Sequence, residues 1–180
     1  NGALYMNRIL VVVDYQADFV DGALGFKGAE LLDEPISQKI IEYGEGHVFY
    51  TLDTHFSDYL STREGKNLPI EHCIKGTPGW LPYGKTADAL KAVNAIALEK
   101  RSFGLDISDP SINAMLPENV DEIELVGLVS SICVISNAVI FQTKYPEARV
   151  TVCSKLTAGA DEELHAAALK VMAGFQVNVK

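Results

Sequence analysis

The chain has 180 residues, 48% of them hydrophobic and 22% charged, with a formal net charge of −9. That apolar content excludes a disordered segment, and the length suits one domain burying roughly 70% of its unfolded surface. The negative charge argues against binding to nucleic acid or to an anionic membrane, both of which need cationic surface. No apolar run approaches the roughly 20 residues of a membrane span.

Asn1 to Tyr5 precede Met6-Asn7-Arg8, which reads as a natural start, so these residues are set aside as an added segment. Arg8 to Val13 (RILVVV) is a β-branched run without polar alternation, the pattern of a strand buried on both faces. Similar runs follow at His47 to Asp53, Ala95 to Lys100, Glu122 to Val129, Ala148 to Cys153 and Phe175 to Val179. Between them, apolar residues at three- and four-residue spacing predict helices over Leu31 to Tyr43, Thr86 to Val93, Cys133 to Tyr145 and Asp161 to Ala173. The last has Asp161, Glu162 and Glu163 in its first turn, where the helix dipole favours negative charge.

Strands alternating with helices predict right-handed crossovers. The expected fold is a single three-layer α/β/α domain, its mainly parallel sheet holding about six strands. One segment, Phe56 to Gly84, is rich in Gly and Pro and has no periodicity. Long loops in compact domains are functional or disordered, and the His, Trp and Cys residues here point to function.

The cysteines are Cys73, Cys133 and Cys153. An odd, sparse set without a CxxC pair suits a reduced compartment. The N-terminus also lacks the basic-then-apolar pattern of a secretion signal, so the expected location is cytoplasmic.

In open parallel sheets, ligands bind in the crevice outside the carboxyl ends of the strands. The first strand runs into Asp14-Tyr15-Gln16-Ala17-Asp18-Phe19 and the second into Asp53-Thr54-His55. The third runs into Glu99-Lys100-Arg101 and the fourth into Ser130-Ser131-Ile132-Cys133. A carboxylate, a carboxylate–imidazole pair, a lysine and a thiol thus meet on one rim.

Cys133 leaves a buried strand by a tight turn and opens a helix. Amides at a helix N-terminus lower a thiol pKa below its free value of about 8.5, and they can hold an oxyanion. Cys133 is therefore expected to be an ionised nucleophile, and Cys73 and Cys153 small buried hydrophobes. A lysine ending a buried strand is costly unless it pairs with an anion. Asp14 is the expected partner of Lys100, either in catalysis beside Cys133 or as a structural ion pair. Asp53 and His55, two apart on a strand end, share one face. With Glu64 and His72 downstream they make an adequate donor set for Zn, Fe or Mn. His47, beginning a strand, and His165, within a helix, read as hydrogen-bonded structural residues.

Five segments together resemble the isochorismatase-like cysteine hydrolase superfamily and, within it, the nicotinamidases. They are VVVDYQADF (Val11 to Phe19), LDTH (Leu52 to His55), HCIKGTPGW (His72 to Trp80), EKRSFG (Glu99 to Gly104) and VGLVSSICV (Val126 to Val134). By this resemblance Asp14, Lys100 and Cys133 match a triad. The acid takes the thiol proton, the lysine stabilises the charges, and the sulfur attacks an amide carbonyl to give a thioester. Val129, after a cis peptide from Leu128, and Cys133 would supply oxyanion-hole amides. Asp53, His55 and His72 match ligands of a divalent metal that anchors a pyridine nitrogen, with zinc expected and iron or manganese as alternatives. The family's further His is missing from Phe56-Ser57-Asp58-Tyr59, and Glu64 is the replacement. Phe19 matches an aromatic wall of the substrate pocket. Pro69 stands where another aromatic is usual, leaving Trp80 either to line the pocket or to brace the loop.

The implied reaction converts nicotinamide and water to nicotinate and ammonia, with a small amide as the partner molecule. Apolar helix faces make a homo-oligomer the expected assembly. Two other readings stay open: a metal-independent relative cleaving another amide, ureido or N-carbamoyl group, and a non-catalytic small-molecule binding module. A desolvated lysine beside a thiol counts against the binder, which has no use for so costly a pairing.

Overall fold

The computed structural model describes residues 7–180, so the segment 1–5 set aside above lies outside the described residues. Strand β1 (Arg8–Val13) is buried from Ile9 onward. Successive strand residues face opposite sides, and β1 uses both. Ile9, Val11 and Val13 pack with Ile112, Phe141 and Met172 on one side. Leu10 and Val12 pack with Ile36, Ile40 and Leu90 on the other. Each such fully buried aliphatic contributes roughly 1.5–3 kcal/mol, which explains why the least polar strand lies at the centre.

The other strands are β2 (Val48–Asp53), β3 (Ile96–Lys100), β4 (Glu122–Leu128), β5 (Arg149–Ala158) and β6 (Asn178–Val179). All pair in parallel, in the order β3-β2-β1-β4-β5-β6. Helices α2 (Asp33–Tyr43) and α4 (Gly84–Ala92) cover one face, joined by the short α1 (Ala17–Val20). Helices α5 (Pro110–Met115), α6 (Ile135–Lys144) and α7 (Glu162–Gly174) cover the other. The result is the expected α/β/α sandwich with six strands.

The chain steps outward from β1 to β3, then returns past β1 to build β4, β5 and β6. The switch point therefore lies between β1 and β4, where open sheets place their ligands. Asp14 leaves β1 and Cys133 follows β4, so the two flank the switch. Gly127 makes this junction possible: its φ is +110°, and a Cβ there would stand 2.1 Å from the Val13 carbonyl oxygen.

Several boundaries differ from the sequence-based expectation, for local reasons. β5 continues past Cys153 to Ala158 because a register shift at Leu125/Gly127 lets it pair again at Thr157 and Ala158. β6 is only two residues long, since Gln176 turns with a positive φ of 74°. The segment Phe56 to Gly84 holds α3 (Arg63–Asn67) and two 3-10 turns, Tyr59–Ser61 and Pro78–Trp80, all too short to show a period. α5 is capped by the Asp109 side chain with Pro110 in its first turn, a start signal visible in the sequence. Among the described residues no helix is long and apolar enough to cross a membrane.

Candidate active site

Asp14 ends β1 with a positive φ of 45°, a region that Asp tolerates better than most residues. The Thr51 hydroxyl of β2 donates to its Oδ1 at 2.7 Å and accepts from its backbone N–H at 3.1 Å. The other oxygen, Oδ2, lies 2.6 Å from the Lys100 ammonium. Both ionic side chains are fully buried. Lys100 also donates to the Ser102 carbonyl at 2.9 Å and stands 3.6 Å from Cys133 Sγ. Lys100 thus touches both of the residues that the resemblance groups with it, Asp14 and Cys133.

Cys133 is held by a five-residue π turn, Ser130–Val134, that follows the cis Leu128–Val129 peptide. Single π turns recur at functional sites. The regular helix begins only at Ile135. Asn137, one turn on, donates to the Cys133 carbonyl at 2.8 Å and to the Phe103 carbonyl at 3.2 Å, and accepts from the Leu105 N–H at 3.0 Å. This buried amide couples the turn that carries Cys133 to the loop after β3.

The depth of the sulfur works against the ionised thiol expected from the helix start. Burial pushes the Cys133 thiol well above its ordinary range, and the Asp14 carboxylate pushes it further, with Lys100 opposing both. Dipoles at a helix start lose to desolvation when the sulfur is this deep. Burial also raises Asp14, against the pull of Lys100. Burial works against the Lys100 ammonium, but Asp14, Cys133 and Asp53 together more than restore it. Burial thus works against the charged form of both the Cys133 thiol and the Asp14 carboxyl, while Lys100 works for it.

The second cluster lies alongside. Asp53, His55, Glu64 and His72 bring one donor atom each to within 4.8 Å of one another. His55 Nε2 stands 3.0 Å from Asp53 Oδ2 and 3.1 Å from Glu64 Oε2; His72 Nε2 stands 3.4 and 3.6 Å from the same oxygens. Donors about 2.0–2.2 Å from one shared ion are spaced in this way. His72 Nδ1 donates to the Ile70 carbonyl at 2.8 Å, which fixes the tautomer and turns Nε2 toward the cluster. The Tyr59 ring packs edge-on against both imidazoles, and its hydroxyl donates to the Leu68 carbonyl at 2.8 Å. The residues present fit a divalent metal.

Without a metal, burial works against the His55 imidazolium, yet hydrogen bonds to Asp53 and Glu64 hold its pKa up at about 9. Burial also opposes the Asp53 carboxylate, but His55, His72 and Lys100 pull it well below the usual carboxylate range.

The two aromatic candidates sit differently. Phe19 is buried and meets His72 edge-on, with centroids 5.5 Å apart. Trp80 is half-buried; its Nε1 donates to Thr54 Oγ1 at 3.0 Å and its carbonyl accepts from Gln16 at 2.8 Å. Gln16, fully buried, also accepts from the Asp53 N–H at 2.9 Å, and so links Trp80 to the end of β2.

A cavity of about 670 Å³ at the end of β3 is lined by Thr54, Phe56, Glu99, Lys100 and Arg101, with others. A smaller one, about 120 Å³, is lined by Thr54, His55, Phe56, Tyr59 and Arg101, with others. Phe56 and Arg101 belong to both, and the guanidinium stands 5.2 Å from the ring centroid. Cys133, 6% exposed, belongs to neither lining.

Sequence reasoning did not single out Thr51, Tyr59, Asn137 or the Phe56–Arg101 pair. Thr51 was detectable as a polar residue inside the apolar run of β2. Of the histidines read as structural, His47 donates from Nδ1 to the Arg8 carbonyl at 2.9 Å. His165 bonds to Ser130 in the turn that carries Cys133.

The isochorismatase domain model matches residues 8–179. A nicotinamidase/pyrazinamidase of Mycobacterium tuberculosis is 30% identical over 183 residues, covering 92% of this chain and 94% of that protein. The crystal structure of a nicotinamidase/pyrazinamidase from Bacillus subtilis superposes with a TM-score of 0.83 at 25% identity, covering 97% of this chain and 99% of the other. A pyrazinamidase of Pyrococcus horikoshii, solved in complex with zinc, shares the fold with a TM-score of 0.81 at 19% identity, over 97% and 98% of the two chains. The chain belongs to the isochorismatase domain family, and within it is similar to the nicotinamidase/pyrazinamidase enzymes.

Proposed function

We propose that this chain, acting as one catalytic domain, is a cysteine-dependent amidohydrolase that converts nicotinamide and water to nicotinate and ammonia. The observation that carries the reading is the buried contact of Lys100 with both Asp14 and Cys133, at 2.6 and 3.6 Å. Removing two charges from water costs several kcal/mol per ion, and strongly perturbed groups of this kind cluster at functional sites.

In the reaction, Asp14 Oδ2 accepts the thiol proton as sulfur attacks the carboxamide carbon. Lys100 stabilises the charge that develops on sulfur. The amides of Val129 and Cys133 are assigned to the oxyanion, where such donors are worth roughly 10²- to 10³-fold in rate. Protonated Asp14 then returns its proton to the departing nitrogen, which leaves as ammonia and yields a Cys133 thioester. Water, deprotonated by Asp14, opens the thioester; the acid is released and the thiol is restored.

The metal assigned to Asp53, His55, Glu64 and His72 is zinc, with iron and manganese as alternatives for a mixed imidazole–carboxylate set. When bound, it supplies a Lewis-acid anchor for the pyridine nitrogen. The zinc complex of the Pyrococcus horikoshii relative supports this assignment. Phe19, beside His72, is the proposed ring wall. Trp80, bonded to Thr54, is assigned mainly to bracing. The four-residue cluster weighs against a metal-independent relative, and the buried lysine–thiol contact weighs against a binding module.

A cytoplasmic location is supported by the three free cysteines. Exposed Val139, Leu164 and Val171 support a homo-oligomer, which light scattering would measure. A panel of small amides assayed for ammonia release, nicotinamide first, tests the substrate. Turnover of nicotinamide that falls on metal removal is the expected result; ureido or N-carbamoyl turnover without metal would replace this reading.

A further inference from the structure

The hydroxyl of Ser130 is fully buried at the first position of the turn that carries Cys133. A hydrogen bond of 2.8 Å joins it to Nδ1 of His165, on α7. Several features place that imidazole. The Asp161 side chain caps α7 by accepting from the Glu163 and Leu164 amides, which fixes where the helix starts. The His165 amide then bonds to the Asp161 carbonyl at 2.9 Å, setting the ring one turn in. Gly159, just before the cap, keeps the approach close: a Cβ there would lie 3.1 Å from Val129 and 3.5 Å from Ser130 Oγ. The backbone bonds of the turn are local, with the Ile132 and Val134 amides both donating to the Val129 carbonyl. The link from Ser130 to His165 is what ties its opening residue to a neighbouring helix.

We propose that His165 is a positioning residue, which fixes the Val129–Cys133 turn through the buried Ser130 hydroxyl so that sulfur and oxyanion-hole amides keep their reacting geometry. The inference rests on the reading of Cys133 as the nucleophile. His165 touches neither substrate nor the reacting atoms; it acts through Ser130. Rate is sensitive to such support, since a misplacement of about 1 Å can cost roughly 100-fold.

The test measures ammonia release from nicotinamide by the metal-loaded enzyme and by His165→Ala, His165→Asn, Ser130→Ala and the double Ala variant. His165→Ala is expected to lower kcat roughly 10- to 100-fold while KM changes little, because the turn serves the transition state more than ground-state binding. Asn places a hydrogen-bonding atom close to where Nδ1 sits and should recover most of that loss. Ser130→Ala should match His165→Ala, and the double variant should be no worse than either single one, because both remove the same link. Unchanged kcat in His165→Ala with only a lower Tm would overturn the inference, as would losses that multiply in the double variant. If His165→Ala does not fold, Ser130→Ala and His165→Asn decide alone: full activity in Ser130→Ala overturns the proposal. Retained turnover in Cys133→Ala would instead sink the nucleophile reading, so the two failures are distinct.

Discussion

Lys100 Nζ lies 3.5 Å from Asp53 Oδ1, and this contact joins the Asp14–Lys100–Cys133 group to the carboxylate–imidazole cluster. Asp53 divides its oxygens, Oδ1 facing the lysine and Oδ2 the two imidazoles. One side chain thereby influences both halves of the site. Its negative charge also raises the Cys133 thiol. Asp53→Asn should do two things at once. Metal affinity should fall at least about tenfold, the scale on which even indirect support of a ligand is felt. The pH profile of Cys133 alkylation should move to lower pH, because a nearby anion has gone. Metal analysis and iodoacetamide kinetics read the two effects separately.

Breaking the buried ion pair should be costly to the fold as well as to the reaction. Lys100→Met leaves Asp14 without its cation in a fully buried site. Removing one partner of such a pair costs roughly 3–5 kcal/mol. Urea unfolding should show that loss, and ammonia release should fall below detection. A variant with wild-type stability would mean that Asp14 is not charged at rest.

Metal uptake should depend on pH with a defined sign. In the metal-free protein His55 has its pKa raised to about 9, so it carries a proton at pH 7 that a metal must displace. Affinity should therefore rise with pH until about 9 and then level off. Titration calorimetry in buffers of different ionisation enthalpy should record proton release on binding at pH 7. Proton uptake, or affinity that falls with rising pH, would contradict the assigned ligands.

On β4, the buried Glu124 is held by Lys39 at 2.9 Å and by Lys180 at 2.7 Å. Burial opposes its ionisation, but these lysines more than offset that, and its pKa is lowered. A lowered folded-state value stabilises above the ordinary glutamate pKa, and the gain is lost as pH falls through the lowered one. Glu124→Gln should thus cost about 1 kcal/mol or more at neutral pH, as for a hydrogen bond to a charged group. The gap from wild type should close in acid, as Tm measured against pH would show.

Much of the fold was legible because β1, β2 and β4 are apolar on both faces, a pattern that leaves few alternatives to a covered parallel sheet. The rim residues were legible for the same reason, since strand ends place Asp14, Asp53 and Lys100 whatever the loops do. His72 and Glu64 were less so: Glu64 belongs to a helix of only five residues and His72 to the irregular stretch after it, neither of which shows a period. Thr51, Asn137 and the Ser130–His165 link stayed hidden because a polar residue does not reveal its partner in the sequence. The burial of Cys133 was not legible because spacing shows a helix start but not how deep the sulfur lies.

The central claim is that Cys133 forms the bond to the substrate carbonyl. It is tested most directly by ammonia release from nicotinamide, comparing the metal-loaded wild type with Cys133→Ala at matched folded concentration. The account predicts a loss of roughly 10⁴-fold or more, the scale seen when a nucleophile is removed, with metal content and Tm preserved. Turnover within a few-fold of wild type in that variant would contradict it.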